Sequence, residues 1–170
     1  MDAIKSVDLD FPNIGLGGGF ALWSFRMCAS GAANCPIYYA TFQHFFGSDG
    51  LEGLHKVLTF VSDMREHGRR PIDLGSASSP NVSSDEYSIL AMYAAAQMGA
   101  TETCSECLSE LLFNTVSPEL VQHAQDVGVF LARHGMNVRV PSPASRQVIP
   151  KRPTLSIVGG TDYGDSIPSF

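Results

Sequence analysis

The chain has 170 residues, 44 % of them hydrophobic, and a formal net charge of −6. That size suits one domain whose core needs neither disulfide nor metal to fold. The acidic balance argues against unaided nucleic-acid binding, which needs a basic surface to displace counterions. A membrane span is also excluded: the longest apolar stretch, Gly17 to Ala29, is too short to cross a bilayer and is interrupted by Arg26.

Residues 1–16 read as an irregular segment, because Pro12, Asn13 and Gly15 oppose a helix. Its charges, Asp2, Asp8 and Asp10 against Lys5, do not match a secretory leader. The expected location is therefore the cytoplasm, where the four cysteines stay reduced or bind metal. Gly15-Leu16-Gly17-Gly18-Gly19 invites a phosphate-loop reading. It fails because Phe20 stands where the last glycine belongs, no strand precedes it and no Gly-Lys-Ser/Thr follows. A flexible lead-in to a closely packed helix fits better.

The periodicity predicts a first helix from about Gly18 to Ser30, with Phe20, Trp23 and Met27 in one stripe. A second follows Pro36, a residue suited to the first helical position, and carries Tyr39, Phe42 and Phe46. Trp23, Tyr38, Tyr39 and Phe42 together read as an exposed apolar groove between these two helices. Asp49 reads as the cap of a third helix, with Leu51, Leu54, Leu58 and Val61 on its stripe. A loop rich in Ser, Gly, Pro and Asn spans Pro71 to Val82. Ser83-Ser84-Asp85-Glu86 reads as a capping box for a fourth helix, and that role accounts for both acids. Thr103-Cys104-Ser105-Glu106 reads as a second capping box, for a fifth helix ending near Asn114. Ser117-Pro118 opens a sixth, closed by Gly135. Beyond it, Pro141, Pro143, Pro150 and Pro153 oppose a helix, and Leu155 to Val158 reads as a short strand or docking segment. The expected fold is all-α: an orthogonal bundle of about six helices over 17–137, with an extended Pro-rich tail over 138–170.

Charge is segregated along the chain. Pro71 to Ala132 holds Asp73, Asp85, Glu86, Glu102, Glu106, Glu110, Glu119 and Asp126 with no Lys or Arg. Arg133 to Arg152 holds only bases: Arg133, Arg139, Arg146, Lys151 and Arg152. Such blocks form a solvated face with a basic linker, or an acidic face that recruits a basic partner, or a basic tail that docks on acidic helices.

The thiols are the sharpest chemical feature. Cys104 and Cys107 are three apart at a predicted helix start, where the dipole favours thiolate. With Cys28 and Cys35 they make a candidate four-thiolate zinc or iron site. Against this, the C-x6-C spacing of Cys28 and Cys35 is wide for zinc, and Cys107 falls in line with buried Leu111. Both Cys28 and Cys107 then serve as small core hydrophobes, and no cofactor is expected. Glu102, Glu106 and Glu110 recur every four residues. A di-metal site needs Glu-x-x-His pairs on two helices, and the sequence has one, Glu52–His55, so the three glutamates read as a solvated acidic ridge. His134 reads as a charge at a helix C-terminus. No Ser/His/Asp set, nucleophile elbow or H-E-x-x-H motif is present. The last two helices imitate a helix-turn-helix, but Glu119 and Asp126 on the second oppose groove reading.

Several runs resemble a family of small uncharacterised bacterial helical proteins: Phe25-Arg26-Met27 with Gly31, Phe46-Gly47, Leu54–Leu58–Val61, and Pro80-Asn81-Val82-Ser83-Ser84-Asp85-Glu86. They span Phe25 to Gly99. In that family the loop before the proline carries cysteines; here it reads Ser76-Ala77-Ser78-Ser79, so a thiol role for the loop does not transfer. The resemblance implies no activity. The sequence thus leads to a non-enzymatic interaction or regulatory module with a protein partner, reached through the acidic 71–132 region or the basic tail. A metal protein using Cys28, Cys35, Cys104 and Cys107 is the alternative.

Overall fold

The computed structural model describes residues 13–140. Most of the expected N-terminal segment, and the tail beyond Val140 with Leu155 to Val158, lie outside the described residues. Within them the fold is all-α, with six α-helices: α1 (Gly15–Ala29), α2 (Pro36–Phe46), α3 (Gly50–His67), α4 (Ser84–Gln97), α5 (Thr101–Leu112) and α6 (Pro118–Arg133).

The glycine run is part of α1, not a lead-in to it. The reason for glycine is close approach: a Cβ on Gly17 would stand 2.3 Å from the carbonyl oxygen of Asn137. From Gly17 to Arg26 every residue of α1 is buried. A helix enclosed on all sides lies at the centre of a bundle. α4 lies similarly deep, burying Ile89, Leu90, Met92, Tyr93, Ala95 and Ala96. It packs on α1, α5 and α6, while α3 packs on α1, α2 and α6.

The aromatic residues of α1 and α2 do not leave a groove. Trp23, Tyr38 and Phe42 are buried. They belong to a cluster in which Phe20 meets Phe42 and Phe46 edge-on, both at 5.1 Å between centroids, and Phe46 meets Phe130 of α6 at 4.9 Å. Edge-to-face contacts at such spacing add to the gain from burial. Of the four residues expected to line a groove, Tyr39 alone is exposed. Gly53 lets α3 approach α6: a Cβ there would lie 2.3 Å from the ring of Phe130.

Two helix starts match the sequence pattern and two differ from it. Ser83 and Glu86 form the expected capping box at α4, and the Ser117 hydroxyl accepts from the Leu120 amide at α6. Asp49 does not cap α3; its carboxylate faces Nε2 of His134 at 3.1 Å, tying the start of α3 to the end of α6. The Thr103 box is not formed, because α5 begins two residues earlier, at Thr101. The packed body also extends past α6. Met136 and Val138 are buried. The Gln97 side chain donates to the Met136 carbonyl and accepts from the Val138 amide, each at 2.9 Å. The expected tail boundary at 138 thus falls within the packed body.

Candidate functional site

Between α3 and α4 the chain runs from Gly68 to Ser83 without a helix. A segment of that length has many backbone groups to satisfy. Buried side chains satisfy them. Arg26, from the last turn of α1, is 1 % exposed and Glu86, from the first turn of α4, is fully buried. Arg26 Nε and Nη2 donate to the two Glu86 oxygens at 2.6 and 2.9 Å. The other guanidinium hydrogens go to the carbonyls of Ser76, Ser79 and Asn81. Glu86 also accepts from the Gly75 and Ser83 amides, at 2.9 and 2.8 Å. The five donors of the guanidinium fork and the four acceptor directions of the carboxylate are thereby all used. Gly75 is needed here, since a Cβ would stand 2.7 Å from Arg26 Nη2.

The same arrangement repeats closer to the surface. Arg70 grips Asp85 with two hydrogen bonds, 2.7 and 2.8 Å, and Asp85 accepts from the Asp73 amide. These bonds hold the Asp85 carboxyl below its ordinary value, the Arg70 hydrogen bonds contributing most. The start of the loop is further bonded to the end of α5: the Arg69 amide donates to Leu112, and the Asn114 side chain to His67. Asp85 and Glu86 therefore do more than cap a helix; they fasten a whole connection.

That framework presents Phe113. This residue ends α5 in the left-handed region, φ +51°, and is 70 % exposed. A bulky side chain seldom adopts that backbone, and such strain clusters at functional sites. The Arg70 guanidinium lies 5.1 Å from its ring centroid, within range of a cation–π contact. Glu102, Glu106 and Glu110 are exposed on α5. Spacing of four and then three continues their line to Phe113. The outcome is an acidic ridge ending in a fixed aromatic.

Two thiols lie on α5 beside this face and two at the turn between α1 and α2. Cys28 is buried near the end of α1, and Cys104 is buried on α5. Cys35, at the start of α2, and Cys107 are half-buried. Among the described residues no group of three or more His, Cys, Asp or Glu side chains is placed to hold a metal ion. The structure does not bring Cys28, Cys35, Cys104 and Cys107 into one ligand set. The expected thiolate at the start of α5 does not arise either. Burial pushes the Cys104 thiol up to about 11, and burial first, then Glu110 and Glu106, raises Cys107. Metal ligation needs the opposite shift.

No protein family, curated protein or solved structure matches this chain. The resemblance over Phe25 to Gly99 gains no support from those comparisons. Arg26 and Phe113 are the residues the sequence reading missed. Arg26 had a signal, a lone charge inside an apolar helix; Phe113 had none, because its exposure follows from where α5 stops.

Proposed function

We propose that the protein is a non-enzymatic interaction module that docks a basic protein partner on the acidic outer face of α5. Phe113 carries the reading. A large aromatic held in solvent, on strained backbone and under an arginine itself fixed by Asp85, is a pre-ordered anchor of the kind that dominates interfaces. Glu102, Glu106 and Glu110 make no ion pair among the described residues and are left to meet basic groups of the partner. In this reading the module acts in the cytoplasm with its thiols reduced.

The test is affinity capture with the full chain as bait, beside Phe113→Gly and a triple Glu102→Gln, Glu106→Gln, Glu110→Gln variant. A protein held by the wild type should be lost from both. A capture profile that Phe113→Gly leaves unchanged would sink the reading.

A further inference from the structure

A second feature of the strapped loop stands apart from the Phe113 face. Residues Arg70 to Leu74 cover a pocket of about 250 Å³. Its walls are Phe25 from α1, Val61 and Met64 from α3, Ile72 and Leu74 from the loop, and Leu112 from α5. The roof is fixed rather than loose, because Asp85 holds Arg70 and the Asp73 amide while Glu86 holds the Gly75 amide. A pocket with a fixed roof needs little ordering when it binds.

The polar groups at this pocket are unevenly arranged. Among the described residues no carboxylate lines it. Arg70 gives Nη1 and Nη2 to Asp85 and keeps a buried Nε without a partner among the described residues, and Arg65 makes no ion pair with an acid among them. Arg65 Nη2 donates to the carbonyls of Cys28 and Ala29, at the end of α1. That tether holds the guanidinium beside Ala29, which with Arg65 lines the pocket, and Nε and Nη1 make no hydrogen bond among the described residues. An apolar chamber edged by a tethered, half-used guanidinium complements a molecule that is apolar along its body and anionic at one end.

We propose that the pocket binds an unbranched aliphatic monocarboxylate as a free small molecule. The chain fills the space below Ile72 and Leu74, and the carboxylate accepts from Arg65 Nε and Nη1. A cavity of about 150 Å³ accommodates benzene, so this pocket suits a chain of about eight carbons. A phosphate or sugar finds no polar interior here, and a neutral hydrocarbon leaves Arg65 unused.

The test is titration of the isotopically labelled full chain with octanoate and, separately, with 1-octanol, followed by amide shifts. Octanoate should give saturable shifts at Gly68, Ile72, Leu74 and Leu112, with affinity about fivefold or more above that of 1-octanol, given a charge-assisted bond at a partly exposed site. Shortening to hexanoate should weaken binding roughly fourfold per methylene removed. Arg65→Gln should bring octanoate down to the level of 1-octanol without altering 1-octanol binding. Arg65 is exposed, so this substitution leaves the core alone. Leu74→Trp, which fills the pocket, should abolish the shifts from both ligands. Absence of saturable shifts at these amides, equal affinity for the two ligands, or octanoate binding indifferent to Arg65→Gln would each overturn the proposal.

Discussion

Arg26 and Glu86 stand sixty positions apart in the chain and meet through two parallel hydrogen bonds in a place neither solvent nor salt can reach. Buried ion pairs of this kind do not stabilise by their charge alone, since desolvation offsets much of the attraction. What distinguishes this pair is that its spare donors and acceptors close the backbone of the 75–83 loop. Removing one partner strands the other and several loop carbonyls or amides together. Arg26→Ala or Glu86→Ala should cost about 3–5 kcal/mol in denaturant unfolding. Arg26→Lys should rescue little, because an ammonium cannot reproduce the planar fork. Limited proteolysis of Arg26→Lys should open the loop near Ser76 to Asn81. A loss below about 1 kcal/mol would mean that the loop holds itself.

Asp85 sets an acid limit on the fold. Its folded-state carboxyl lies below its ordinary value, chiefly through Arg70. The unfolded chain then binds a proton more readily than the folded one as pH falls below about 4. The contribution of the pair is present above that range and is lost on acidification through the lowered value. Asp85→Asn should therefore lower stability at pH 7 and flatten its fall between about pH 4 and pH 2, as read from urea midpoints at each pH. Parallel curves for the two proteins would show that Asp85 does not set the limit.

Cys104 sets an alkaline one. Burial raises its thiol from the model-compound value of 9.0 to about 11. Below pH 9 the neutral thiol costs nothing. Across pH 9 to 11 the unfolded chain ionises first, so stability drains away by up to about 1.4 kcal/mol per pH unit for such a group. Cys104→Ala should make this slope shallower, the raised thiols of Cys28 and Cys107 leaving a remainder. Thiol labelling of the native protein at pH 8 should reach Cys35 and Cys107 and spare Cys28 and Cys104 until unfolding. Rapid modification of all four would contradict the burial of the latter pair.

Phe113 should separate stability from binding. Deleting a core phenylalanine costs about 3–5 kcal/mol. At Phe113, glycine relieves a left-handed backbone at about 1 kcal/mol and forfeits a cation–π contact of about the same size. Phe113→Gly should leave the thermal midpoint within about 3 °C of wild type. A large fall would make Phe113 a structural residue and remove the main support for an interface there.

Helix number and most helix ends were legible because periodicity, Pro36, Pro118 and the Ser83 box are local signals. The glycine run was misread because its cause, the backbone of Asn137, lies 120 residues away in sequence. The Thr103 box was misread for the opposite reason: a valid local pattern lost to packing that begins α5 at Thr101. The groove expected of Trp23, Tyr38 and Phe42 was misjudged because an amphipathic stripe does not say how many neighbours will cover it. At the candidate site, Glu86 was visible as a cap. Its partner was not, since nothing local tells a buried arginine with five acceptors from one that merely interrupts a hydrophobic run.

The contact between Gly17 and Asn137 has a mechanical consequence. It places the points where the chain enters and leaves the described body side by side, and Gln97 locks the exit in place. A body threaded in this way hangs from a single attachment point, like a bead on a short loop of cord. Tension applied through the flanking segments would peel Met136 and Val138 away first and reach the helices only afterwards. The same adjacency allows the order of the helices to be rewired: a few residues joining 140 to 13, with new ends opened at the exposed α4–α5 turn, should yield a circular permutant that keeps the Arg26–Glu86 strap whole.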